Sequence, residues 1–243
     1  MNDSQLSFDF DAALPAWASK LAVFDLETTG LDLREARIVT ACAVEIDSSG
    51  AMIGSQEEWL ADPGIEIPLV ATNVHGVSTA MAVEHGKPAK QVVSELLEVL
   101  RAYLNSGIPV VAYNAPYDFT ILHYEALRHG LEPLDNPSPV LDPYLIDRWV
   151  DRYRGGKRNL EFVAQHYGVQ LSDAHNATAD AVAAGRVMQA IARKFAGKLP
   201  DSLDVLHSAQ VQWCLELDAN YEAFRRRTTP DFTLDRGWPI RNV

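Results

Sequence analysis

Asp25 and Glu27 stand two residues apart at the end of an apolar run, Leu21-Ala22-Val23-Phe24-Asp25-Leu26-Glu27-Thr28-Thr29-Gly30. On a strand, side chains two apart leave the same face, with Cα atoms roughly 6.6 Å apart. Two carboxylates that close raise each other's pKa unless a cation compensates. Magnesium takes oxygen ligands, commonly one or two carboxylates together with substrate phosphate oxygens, so the pair suits phosphate-ester chemistry. Its flanks agree: Val23, Phe24 and Leu26 make the strand a buried one, while Thr28-Thr29-Gly30 adds hydroxyls and a glycine that permits close backbone approach.

Two further acids head helices. Asp118 follows a short apolar strand, Pro109–Tyr113, and the segment Asn114-Ala115-Pro116-Tyr117, which places it in a first helical turn where the helix dipole favours negative charge. His175 and Asp180 are five residues apart, about 500° on a continuous helix, so they converge only if His175 lies in the loop before a helix capped by Asn176. Asp180 shares its face with Ala184, Val187, Ile191 and Phe195, and a carboxylate at the head of a buried stripe needs a partner. Asp142 differs, because Asp142-Pro143 has the pattern of an N-cap followed by proline at the first helical position and reads as structural. His123 and His166 read as ordinary helix residues, and Tyr117 as a wall on which a splayed base could stack.

The elements that position these residues follow from periodicity. Strands are predicted over 20–27, 38–46 and 52–60 as an antiparallel meander, then over 109–113 and 139–141. Helices are predicted over 88–104, 116–129, 159–167, 176–195 and 201–227. Strands first and alternation later imply a mixed α/β sheet. The organisation expected is a flexible tail over 1–17, a catalytic domain over 18–200, and a final helix and tail over 201–243. The last stretch, with Trp238, either packs on the domain or binds something else.

Composition sets the surroundings. The 243 residues carry 21 Lys and Arg against 33 Asp and Glu, a net charge of −12, which argues against broad binding to long duplexes but not against a local acidic metal site. Arg148, Arg152, Arg154, Lys157 and Arg158 cluster around Gly155-Gly156, as a phosphate-facing loop or a solvated helix end. Cys42 and Cys214 suit reduced core thiols better than a disulfide or zinc site. With no apolar stretch of about 18 residues and no basic-then-apolar start, a cytoplasmic protein without a membrane partner is expected.

Taken together, Asp25-Leu26-Glu27-Thr28-Thr29-Gly30, Asn114 to Asp118 and His175 to Asp180 resemble the three motifs of the DnaQ-like DEDDh 3'-5' exonucleases, which include the epsilon subunits of DNA polymerase III. The resemblance covers roughly residues 21–195. It implies an α/β, RNase H-like fold with a central mixed five-stranded sheet flanked by helices. It also implies two magnesium or manganese ions held by Asp25, Glu27, Asp118 and Asp180, with His175 as general base. Asn73-Val74-His75-Gly76-Val77 resembles the family's nucleotide-pocket motif, so Thr28, Thr29, Gly30, Leu31, Val74, His75, Asn114 and Tyr117 are expected around the terminal nucleotide. The implied substrate is the 3' end of single-stranded or frayed DNA in proofreading or repair. RNA trimming and a polymerase- or clamp-binding adaptor are the alternatives. Gln5-Leu6-Ser7-Phe8-Asp9-Phe10 resembles the peptide by which bacterial proteins bind a sliding clamp, and also fits an amphipathic tail.

Overall fold

The computed structural model describes residues 13–171 and 176–242. Strands β1 (Leu21–Thr28), β2 (Ile38–Ile46) and β3 (Met52–Asp62) form the predicted antiparallel meander. β4 (Lys87–Pro88) runs parallel to β3, β5 (Val110–Val111) parallel to β1, and β6 (Val140–Leu141) parallel to β5. The order is β4-β3-β2-β1-β5-β6, a sheet of six strands rather than five. The extra strand is two residues long, too short to show alternation, and Pro88, which lacks an N–H, suits a sheet edge.

The helices are α1 (Leu69–His75), α2 (Thr79–His85), α3 (Ala89–Asn105), α4 (Pro116–Arg128), α5 (Pro143–Val150), α6 (Leu160–His166), α7 (Ala177–Lys194) and α8 (Leu203–Arg225). The first two are of seven residues each, and periodicity did not predict them. They bury little more than Ala71 and Ala82, against Val39 and Ile67, and so carry almost no apolar stripe.

Both faces of β1 are covered. Phe24 meets Phe119 of α4 edge to face at 5.5 Å, an arrangement worth about 0.5–1.5 kcal/mol beyond its buried area. On the opposite face Val23 meets α7 at Gly185, where an added Cβ would lie 2.5 Å from Val23 Cγ1 and 2.6 Å from Ile46 Cδ1. Asp25 and Glu27 are in phase with Val23, and they are the two positions of β1 that stay half-open.

The ends of the described chain are built into the domain. Trp17, placed by sequence in the flexible tail, is buried within a 3-10 turn at Ala16–Ala18. α8 covers the edge strand β6: Gln210 Oε1 accepts from Asp142 N at 2.7 Å, Gln210 Nε2 donates to Val140 O at 3.0 Å, and His207 Nδ1 accepts from Val140 N at 3.1 Å. Those bonds occupy backbone groups that an open edge would leave unpaired. Trp149 of α5 stacks on Trp213 of α8 at 5.2 Å. Beyond α8 the chain folds back, burying Trp238 beside His207, while Arg241 pairs with Asp218 and donates its N–H to Thr120 of α4 at 2.9 Å. Of the two sequence readings for this stretch, packing on the domain holds. Among the described residues, no helix is long and apolar enough to cross a membrane, and both cysteines are free and buried.

Candidate active site

Three elements bring the acids together. Asp25 and Glu27 come from the end of β1, Asp118 from the first turn of α4, and Asp180 from the first turn of α7. Asn176 caps α7 as expected, its side chain accepting from Ala179 N at 3.1 Å. The same end of α7 is tied to the sheet by Thr178, whose hydroxyl bonds Glu58 of β3. His175 lies outside the described residues, as does the segment Gln5–Phe10.

Asp118 is buried, and its Oδ1 accepts a 3.1 Å hydrogen bond from Leu26 N, the peptide group between the two acids of β1. The turn leading to Asp118 is held from below by Asp142. Its carboxylate accepts from Asn114 N at 2.9 Å and Ala115 N at 3.1 Å as well as from Tyr144 N and Leu145 N, the N-cap bonds that the sequence predicts. Asn114 sits at φ 64°, a left-handed conformation that asparagine tolerates better than most residues.

The electrostatics are those of crowded like charges. Burial, followed by the charges of Asp118, Glu27 and Asp180, holds the Asp25 carboxyl well above the usual carboxylate range. Burial and then Asp180 push Glu27 up to about 7, and burial also raises Asp118 against the pull of the Leu26 N–H. Among the described residues, no lysine, arginine or histidine forms an ion pair with Asp25, Glu27 or Asp118. An all-oxygen set short of positive charge fits a hard divalent cation. Among the described residues no group of three His, Cys, Asp or Glu side chains is placed to hold a metal ion by itself, so an ion here would take further ligands from substrate phosphate and water.

Beside the acids, the β1–β2 register shifts between Glu27 and Thr28, skipping Val39 of β2, and β1 ends at Thr28. Thr28 Oγ1 contacts Tyr117 Oη at 2.6 Å, and both hydroxyls reach Gly30 O, at 2.8 and 2.9 Å. Two hydroxyl hydrogens therefore serve three contacts, latching Thr28-Thr29-Gly30 to α4. Thr29 turns inward instead: its Oγ1 accepts from Arg37 N at 2.9 Å and it is buried, so it shapes the turn. Leu31, which follows Gly30 in the chain, is 85% exposed, and Val74, which precedes His75 in α1, is 48% exposed. His75, whose Nδ1 accepts from Val77 N at 3.2 Å, lies against the Thr28 backbone and so brings α1 to the latch.

The basic cluster does not act as one. Arg154 and Arg158 pair with the buried carboxylate of Asp147, at 2.6 and 2.5 Å, and are structural. Asp147 was missed by sequence reasoning, as was Glu125, a buried acid bonded by Arg128 and facing Arg37. Glu125 lies seven residues after Asp118 on one face of α4, and a carboxylate recurring at that spacing was the available signal.

Residues 22–188 match the family model described as Exonuclease. A DNA polymerase III subunit epsilon-like protein of Rhodobacter capsulatus is 32% identical over 194 residues, covering 74% of this chain and 26% of the relative. A PolC-type DNA polymerase III of Lacticaseibacillus paracasei is 30% identical over 179 residues, covering 74% and 12%. The chain therefore spans about a quarter or less of these curated relatives. Among solved structures, E. coli Exonuclease I in complex with a dA16 oligonucleotide superposes with a TM-score of 0.61 at 17% identity, covering 74% of this chain and 42% of that one. Exonuclease I from Methylocaldum szegediense gives 0.59 at 20% identity, covering 74% and 41%. These two likenesses establish the RNase H-like fold.

Proposed function

The chain belongs to the exonuclease family whose model it matches, and from that premise we propose that it is a divalent-metal-dependent 3'-5' exonuclease that acts on DNA ends and releases nucleoside 5'-monophosphates. The observation that carries the reading is the meeting of Asp25, Glu27, Asp118 and Asp180, the first three with no ion pair to a cationic side chain among the described residues, beside the latched turn Thr28-Thr29-Gly30.

Two magnesium or manganese ions held by these four acids would supply the charge that readies a water and stabilises the leaving 3' oxygen. The protein's own part is orientation. Leu26 N fixes Asp118, and the bonds of Thr28 and Thr29 set the turn on which the terminal nucleotide rests. Leu31 and Val74 offer apolar surfaces to its base, and the Thr28–Tyr117 latch keeps the turn in place. His175 takes the proton of the attacking water in this reading, the role that the resemblance implies.

DNA as substrate, and a place in replication or repair, are supported by the names of the relatives. Attachment to a sliding clamp through Gln5–Phe10 is the partner reading. A purely adaptor role is disfavoured by the burial of Trp238, the side chain that a docking tail would present.

Parallel digestion of 3'-labelled single-stranded DNA, mismatched duplex DNA and RNA, with magnesium and with chelator, tests the reading. Mononucleotide release from DNA in magnesium, its loss in chelator and its loss in Asp25→Ala are expected. An Asp25→Ala protein as fast as the parent would overturn the site, and faster digestion of RNA than DNA would overturn the substrate.

A further inference from the structure

A groove between α5, the loop after it and α8 has no part in the reaction above. Arg148, Arg152 and Arg158 line one side and Leu217, Tyr221 and Phe224 the other, around about 270 Å³. The α8 side lies outside the residues that match the family model.

In a chain of net charge −12, the carboxylates around this groove are already engaged. Asp147 pairs with Arg154 and Arg158, and Glu222 with Arg226 and Arg236. Arg148 meets the ring and hydroxyl of Tyr144, and among the described residues neither Arg148 nor Arg152 makes an ion pair. Along the same end of α8, Arg225 and Arg227 lie over the rings of Tyr221 and Phe224, which are 40% and 60% exposed. Guanidinium groups without a carboxylate partner, interleaved with partly exposed rings, are the chemistry of single-strand binding.

The groove is also joined to the reaction site. The carbonyl of Arg158 accepts a 2.5 Å hydrogen bond from the hydroxyl of Tyr113, and Tyr113 immediately precedes the turn that carries Asn114 and Asp118. We propose that this groove binds single-stranded nucleic acid on the 5' side of the bond being hydrolysed, several nucleotides from the reacting end. The inference rests on the exonuclease reading for its polarity alone. An acidic peptide would match the charge, but this continuity with the acids favours the substrate strand.

The test compares the parent with Arg152→Glu/Phe224→Ala, two exposed positions, by fluorescence anisotropy in chelator so that no strand is cut. Single-stranded oligonucleotides of about 4 and about 16 nucleotides serve as probes, the range of known single-strand site sizes. Affinity for the longer probe is expected to fall at least about tenfold, with the slope of log affinity against log salt smaller by about 1, while the shorter probe loses much less. Equal losses for both lengths, or no loss, would overturn the proposal. So would a variant that keeps the long oligonucleotide and loses only an acidic, aromatic-ended peptide. Cleavage of the shorter probe by the parent in magnesium tests the exonuclease reading separately, so the two can fail independently.

Discussion

The N–H of Leu26 donates to Oδ1 of Asp118 across 92 positions of sequence. The peptide between the two acids of β1 thus orients the third, and a shift of α4 against β1 would be felt at all of them.

Asp118→Asn keeps an oxygen that can accept from Leu26 and removes the charge. A fold and melting temperature close to the parent's are expected, with hydrolysis reduced on the order of a hundredfold or more, since charge stabilisation at such centres is worth several kcal/mol. Circular dichroism with single-turnover rates checks both halves, and a rate within threefold of the parent, roughly 0.7 kcal/mol, would refute the assignment.

Gly185→Ala sets two effects against each other. Alanine favours a helix over glycine by about 1 kcal/mol, but the new Cβ would sit 2.5 Å from Val23 and 2.6 Å from Ile46, and overpacking of that kind costs about 1–3 kcal/mol. Net destabilisation is expected in urea unfolding. Activity should fall as well, because α7 carries Asp180 and is pushed off β1. A more stable variant would show that the helix can retreat freely.

Stability of the metal-free protein should decline as pH rises. The folded pKa of Glu27 stands at about 7 against an ordinary 4.5, so between those values the folded state binds more protons than the unfolded one. Its contribution is full below about 4.5 and is lost as pH passes about 7. Melting in chelator from pH 4.5 to 8 should show this fall, flattened in Glu27→Gln and reversed by added magnesium. An equally steep fall in Glu27→Gln would assign it elsewhere.

Asp142→Asn probes the support beneath Asp118. Oδ2 of Asp142 accepts from Ala115 N, and an amide NH2 at that place would face a second donor, whereas rotation would strand the three bonds made by Oδ1. A loss of about 1–3 kcal/mol is expected, with a lower kcat and a nearly unchanged KM. Retention of full stability in urea would mean that the turn is held by other contacts.

Much of this molecule was legible locally. The meander, the helices at 89–105, 116–128, 160–166, 177–194 and 203–225, the caps by Asn176 and Asp142, and the paired acids at 25 and 27 follow from periodicity, turn chemistry and spacing within a few turns of chain, whereas the grouping of Asp118 and Asp180 with that pair came from the resemblance to the exonuclease motifs. Strand β4 escaped because two residues carry too little pattern, and helices α1 and α2 because they bury little more than Ala71 and Ala82 and so show no apolar stripe.

What the tertiary structure alone decided are pairings between distant residues. Whether Arg154 and Arg158 face a phosphate or a carboxylate depends on Asp147 being buried beside them, and whether Trp238 is a docking anchor depends on His207 lying beneath it. Gly185 is an ordinary helix weakness until Val23 and Ile46 are brought against it. Residue type and spacing determine which groups can do chemistry, because those preferences are local. Which charge meets which is settled by burial and by contacts that only the folded chain creates, and there desolvation decides whether a group is left for a ligand.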